Sequence, residues 1–207
     1  AAVQNRCLEL NESSQDPFHV LLYRTAAMDH LMTQLYAQAD RISRELHGSN
    51  VRCCLVSQGG YGRQELCLSS DIDLLFLYEG RAQAFIKVLT EKILQPLWDA
   101  GLEIGFATRT VRDCRQLMEG DLTILTALID ARWLSGDEAL FQEFSKGFQR
   151  YFSTEKNRLK FIEKKLEEND ERLRRYGDSV YLLEPNLKEG KGGLRDYHTI
   201  HWFARVI

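Results

Sequence analysis

No stretch of the sequence approaches the roughly twenty consecutive apolar residues that a membrane-spanning helix needs. The N-terminus also lacks a basic segment followed by an apolar one, the mark of a secretion signal. Neither charge sign is in surplus: 27 Lys and Arg stand against 30 Asp and Glu, for a formal net charge of −3. A general nucleic-acid coat or a binder of anionic membranes needs a basic excess, so both classes are set aside, while a local basic pocket is not. No Cys-x-x-Cys pair occurs among Cys7, Cys53, Cys54, Cys67 and Cys114. Adjacent Cys53 and Cys54 would project to opposite faces of a strand, which suits packing and not a zinc site. Reduced thiols in a cytoplasmic protein are the expectation. Internal repeats and low-complexity tracts are absent as well. What is there is an ordinary globular composition, 44% hydrophobic, 10% aromatic and 28% charged, in a chain whose 207 residues suffice for one or two domains with a real core. The chain starts at Ala1-Ala2 and stops at Arg205-Val206-Ile207 within an apolar pattern, which reads as a piece of something longer.

Apolar spacing divides the chain. Leu21, Leu22, Met28, Leu31, Met32, Leu35, Ala39, Ile42 and Leu46 recur at helical intervals between Pro17 and Gly48. Val51 to Gln58 reads as a short strand ending at Gly59-Gly60, and Asp71 to Tyr78 as a central strand, apolar on both faces. Arg81 to Ala100 reads as a helix and Leu102 to Arg109 as a third strand, interrupted by Gly105. Beyond Thr110 the spacing predicts helices at Asp121–Leu134, Glu138–Phe152 and Glu155–Tyr176, the last charged around a stripe of Leu159, Ile162, Leu166 and Leu173. A Gly- and Lys-rich loop over Gly177–Gly193 precedes a final helix from Leu194. The expected organisation is an N-terminal helical segment (1–48), a mixed α/β core (49–115) and a helical region (116–207), an α+β chain.

One window carries chemistry. Gly59-Gly60-Tyr61-Gly62-Arg63 is followed, about ten residues on, by Ser70-Asp71-Ile72-Asp73 at the head of the second strand. No Gly-Lys-Ser/Thr follows the glycines, so this is not a Walker A loop, and Glu65 stands where a dinucleotide fingerprint needs a third small residue. Side chains alternate along a strand, so Asp71 and Asp73 share a face with Cα atoms ~6.5–7 Å apart. Two carboxylates so placed repel unless a cation lies between them, and hard oxygen donors suit Mg²⁺, which also recruits substrate phosphates. Gly59-Gly60 lets backbone N–H groups approach a triphosphate with no Cβ in the way, and Arg63 supplies a charge for the same phosphates.

This window resembles the active-site signature of the polymerase-β-type nucleotidyltransferase superfamily. More narrowly, it is similar to the nucleotidyltransferase domain of the bifunctional uridylyltransferase/uridylyl-removing enzymes that modify the signalling protein PII. A second stretch, Glu184-Pro185-Asn186-Leu187-Lys188-Glu189-Gly190-Lys191-Gly192-Gly193-Leu194-Arg195-Asp196, resembles a segment of that family's helical region, so that the likeness runs over about residues 51–207. Weaker connecting motifs match at Leu97–Leu102 and Asp130–Asp137. The resemblance implies transfer of UMP from UTP to a tyrosine hydroxyl of PII, with Mg²⁺ as cofactor and pyrophosphate as product. It assigns metal binding to Asp71 and Asp73, and the phosphate side to Gly59, Gly60 and Ser70, with Arg63 at a motif position.

The likeness has departures. The superfamily commonly carries a third carboxylate on the later strand, where Glu103 is the only acid and thus the candidate third metal ligand. Phe106 stands where relatives often have His. Lys188, Lys191 and Arg195 in their glycine-rich loop fit an anion cradle, with Lys188 and Arg195 as nucleotide contacts, or equally an interdomain turn closed by Asp196. His198 and His201 lie three apart without a Glu or Cys partner, which favours packing. No His-Asp doublet of the kind a metal phosphohydrolase uses accompanies them, so the uridylyl-removing activity has no visible site here. Alternatives are a related nucleotidyltransferase with another NTP or protein acceptor, and a nucleotide-binding module without catalysis.

Overall fold

The structure is a computed structural model that describes residue 9 and residues 17–48, 50–176 and 186–207. Cys7, residues 10–16 of the N-terminal segment and residues 177–185 of the expected loop lie outside the described residues. The chain divides into two units, residues 1–117 with 130–144, and residues 118–129 with 145–207. Among the described residues no helix is long and apolar enough to cross a membrane.

The first unit is built on a mixed four-stranded sheet of β1 (Cys53–Ser57), β2 (Ile72–Tyr78), β3 (Ile104–Thr110) and β4 (Arg132–Gly136), in the order β3-β2-β1-β4. Helix α1 (Pro17–His47) has Pro at its first position and Arg44 and His47 in its last turn, where the C-terminal carbonyls attract cations. It ends where Gly48 takes a φ of +91° and donates to Arg44 O. Then come β1 (Cys53–Ser57), the single turn α2 (Gly59–Gly62) and β2 (Ile72–Tyr78), antiparallel to β1. Helix α3 (Gln83–Asp99) carries the chain back to β3 (Ile104–Thr110), parallel to β2 in register Asp73 to Gly105, as a crossover helix allows. Helix α4 (Val111–Gly120) opens with a reciprocal cap: Thr110 N donates to Asp113 Oδ2 (2.9 Å) and Asp113 N to Thr110 Oγ1 (3.1 Å).

Alternation sets the layers. Leu55, Ile72, Leu74 and Phe76 face a core shared with Met28, Met32 and Tyr36 of α1 and Phe85, Leu89 and Ile93 of α3. Cys54, Val56, Leu75 and Leu77, on the opposite face, are also fully buried, which is why β1 and β2 read as continuous apolar runs.

The stretch expected as one helix over Asp121–Leu134 is instead helix α5 (Leu122–Ile129) followed by a fourth strand, β4 (Arg132–Gly136). β4 pairs antiparallel with β1 and is offset by a bulge between Leu55 and Val56. Trp133 and Leu134 continue the helical spacing of α5, so local pattern alone misassigns them. Pairing with β1 and burial of Leu134 in the α1–α3 core decide the matter. Helix α6 (Glu138–Phe152) follows, its first turn capped by Asp137 Oδ1, which accepts from Leu140 N (2.8 Å).

The second unit is helical, with α5, α7 (Glu155–Tyr176) and α8 (Leu194–Val206) in mutual contact. Phe152, Phe161 and Phe203 stack edge to face at 5.7 and 6.0 Å between centroids, and Lys165 of α7 lies over the Trp202 ring of α8 at 4.6 Å.

Candidate active site

The first strand delivers its chain to a turn whose shape glycine dictates. Gly59 adopts a φ of +55°, Arg63 N returns to Gly59 O (3.0 Å) and Glu65 N to Gly60 O (2.8 Å). Two arginines clamp this turn. Arg63, its side chain only 7% exposed, reaches Asp130 Oδ2 at 2.5 Å and Glu65 Oε2 at 2.7 Å. Burial opposes its charge, but Asp130 and Glu65 outweigh that and push its pKa up. Arg132 of β4 holds Asp29 of α1 bidentately (2.8 and 2.9 Å) and donates to Tyr61 O (3.2 Å). Asp130-Ala131-Arg132, legible in the sequence only as a connecting motif, is therefore the brace of the glycine turn. Gly62 packs so closely on it that a Cβ would stand 2.0 Å from Asp130 O.

Asp73 sits on β2 between two glycines. A Cβ at Gly59 would lie 2.7 Å from Asp73 Oδ2, and one at Gly105 only 2.5 Å from Oδ1. The carboxylate thus occupies a slot that exists because neither neighbouring strand end carries a side chain. Asp71 precedes β2, exposed, and alternation places it on the same face as half-buried Asp73. Ser70 is half-buried beside it, its N–H donating to Cys67 O (3.0 Å).

Glu103 O accepts from Ile72 N (2.9 Å), and the parallel register extended by one residue sets Glu103 beside Asp71 on the aspartate face, where it is exposed. Among the described residues, however, no three of His, Cys, Asp and Glu gather to hold a metal. Two carboxylate side chains with oxygen donors only still fit Mg²⁺, which keeps several waters and is held by one or two carboxylates plus substrate phosphates. Phe106 points to the other face of β3, packing edge-on against Phe76 (6.5 Å) and Trp98 (6.2 Å). Phe106, at the position where the resemblance leads to an expected His, does not line the aspartate face.

Lys188 and Arg195 belong to the second unit. Their loop is closed on itself: the N–H groups of Lys188 and Glu189 go to Asn186 Oδ1, that of Gly190 to Asn186 O and that of Gly192 to Asp196 Oδ2. Arg172 of α7 donates to Glu189 O (2.5 Å) and to Asp196 Oδ1, and Arg195 pairs with Glu189 (3.0 Å). Lys188 is exposed. His198 lies against the rings of Tyr197 (5.7 Å) and Trp202 (5.9 Å), as packing residues do.

Gly62, Gly105 and Asp130 were not marked as site residues by the sequence. An isolated glycine inside a strand does signal a close approach of another group, and at Gly105 that group is Asp73.

The family described as "Putative nucleotidyltransferase DUF294" matches residues 2–112, which hold strands β1, β2 and β3, the glycine turn and both aspartates. The chain belongs to this nucleotidyltransferase family. Residues 160–207 match a second family, GlnD PII-uridylyltransferase. Three bifunctional uridylyltransferase/uridylyl-removing enzymes are similar to it. That of Rhodospirillum rubrum is 44% identical over 179 residues, 86% of this chain and 18% of the relative. That of Rhodopseudomonas palustris is 45% identical over 159 residues, 77% of this chain and 17% of the relative. That of a Bradyrhizobium strain is 39% identical over 202 residues, 98% of this chain and 20% of the relative. The chain therefore spans about a fifth of the length of these curated relatives.

Proposed function

We propose that this nucleotidyltransferase chain moves UMP from UTP to a tyrosine hydroxyl of a PII-type signalling protein, with Mg²⁺, and releases pyrophosphate. The observation that carries the reading is the Asp73 carboxylate fixed between Gly59 and Gly105, with Asp71 on the same face. Asp71 and Asp73 would hold the cation, with Glu103 beside Asp71 in register as a further carboxylate on that face. Mg²⁺, when bound, neutralises the phosphate charge. Gly59 and Gly60 admit the triphosphate to the backbone, with Ser70 beside it. The tyrosyl oxygen forms its bond to the α-phosphorus as the bond to the β-phosphate oxygen breaks, and the hydroxyl proton passes to solvent. Arg63, committed to Asp130 and Glu65, acts as the strut of the turn. The Lys188–Arg195 loop acts as a brace of the helical unit, with exposed Lys188 available to an anion. Relatives that bear the uridylyltransferase name support the choice of UTP, and the PII-uridylyltransferase family match over residues 160–207 supports PII. A cytoplasmic location accords with this acceptor.

The absence of a three-acid group among the described residues favours a second reading, a nucleotide-binding module without transfer. Incubation with each of the four α-labelled NTPs, Mg²⁺ and PII separates them. The proposal expects label on PII from UTP alone. Binding of UTP without any labelled PII establishes the second reading, and label from another NTP moves the base preference.

A further inference from the structure

The antiparallel ladder runs one residue past β1. Gln58 N donates to Asp73 O (3.0 Å), continuing the register in which Ser57 faces Leu74. Residues directly opposite in such a pair put their side chains on one face. The Gln58 carboxamide therefore lies on the face of Asp73 and Gly105, immediately before Gly59. The residue is only 6% exposed, and its Nε2 has no hydrogen-bond partner among the described residues. It does not cap the turn either, since its side chain makes no bond to it. A buried donor without an acceptor costs stability, and an apolar side chain of equal length would fill the same space without that cost. Such groups persist where function needs them.

We infer that Gln58 is a nucleotide-binding residue whose Nε2 donates to a phosphate oxygen of the bound triphosphate. The inference rests on the nucleotidyltransferase reading above. Asp71 and Asp73 already supply the negative groups for a cation, and a carboxamide N–H adds the complementary donor for a phosphate without adding charge. Gly59 and Gly60, next in the chain and both half-exposed, contribute no side chain that would screen it.

Gln58→Met keeps the length of the side chain and removes the donor. Two quantities are read on the 207-residue chain: affinity for UTP with Mg²⁺ by calorimetry, and Tm without ligand. The expected result is at least about tenfold weaker UTP binding, with Tm unchanged or raised by a few degrees because an unpaired donor has been replaced by apolar atoms. Gln58→Glu, similar in size but an acceptor with a negative charge, weakens UTP further. Unchanged affinity in Gln58→Met, beside a wild type that binds, assigns the carboxamide to buried water and overturns this role alone. Weaker binding accompanied by a fall in Tm assigns the loss to a damaged turn and overturns it as well. A wild type that fails to bind UTP with Mg²⁺ overturns the nucleotidyltransferase reading and this role together.

Discussion

Asp73 and Gly105 face each other across the parallel β2–β3 ladder, so closely that a methyl group at residue 105 would stand 2.5 Å from Asp73 Oδ1. The missing side chain on one strand thus fixes the carboxylate on the next.

Gly105→Ala should consequently damage function more than folding. The neighbour that must yield is a side chain, so the fold survives with a small loss, while a carboxylate displaced by a fraction of an ångström lowers transfer on the order of 100-fold. Gly120→Ala, in a helix with nothing within 4 Å of the added Cβ, is the control and leaves transfer intact. Equal activity in the two variants, measured as label on PII, would show that the slot is dispensable.

Breaking the Arg63–Asp130 pair tests the strut. Their side chains are 7% and 1% exposed, so Arg63→Met removes a buried charge partner of Asp130 and costs about 3–5 kcal/mol. The double variant Arg63→Met, Asp130→Leu recovers much of that loss. Urea unfolding reads both. An Arg63→Met protein as stable as wild type but weaker for UTP would instead make Arg63 a phosphate ligand.

Much of this was readable in advance, for physical reasons that differ from element to element. β1 and β2 are buried on both faces and announce themselves as apolar runs, and α1 through its helical spacing. The Asp71–Asp73 face follows from strand alternation alone. β4 escaped because Trp133 and Leu134 continue the spacing of α5, and only pairing with β1 makes the segment a strand. Arg63 read as a phosphate contact because its partner Asp130 lies 67 positions away and no local pattern joins them. Gly105 read as a flaw in a strand, since what it makes room for sits on another.

Asp137 gives a pH dependence of known sign. Arg52 Nε (2.8 Å) and the Leu140 N–H hold its carboxylate below the ordinary value of 3.8. A depressed acid contributes its stability above the unfolded-state pKa and loses it as pH falls through the folded one. Asp137→Asn retains a good helix cap and removes only the charge. Its deficit of about 1 kcal/mol should be complete at pH 7 and close below pH 3.8. A gap that persists in acid would assign the effect to packing.

Burial pushes the Cys53 thiol up to about 11 and Cys114 to about 12, and raises Cys54 as well. Cys67 is exposed. Brief alkylation of the native protein at neutral pH should therefore mark Cys67 and spare Cys53, Cys54 and Cys114 until denaturant is added. Mass spectrometry of the peptides checks this, and early labelling of Cys54 would contradict the burial of that sheet face.

Calorimetric titration of UTP into the protein, with Mg²⁺ or with EDTA, tests the shared carboxylate face most directly. The expected result is binding only with the metal, and its loss in both Asp71→Asn and Asp73→Asn at unchanged Tm. Equal affinity in EDTA, or an Asp73→Asn protein that binds as wild type does, would contradict it.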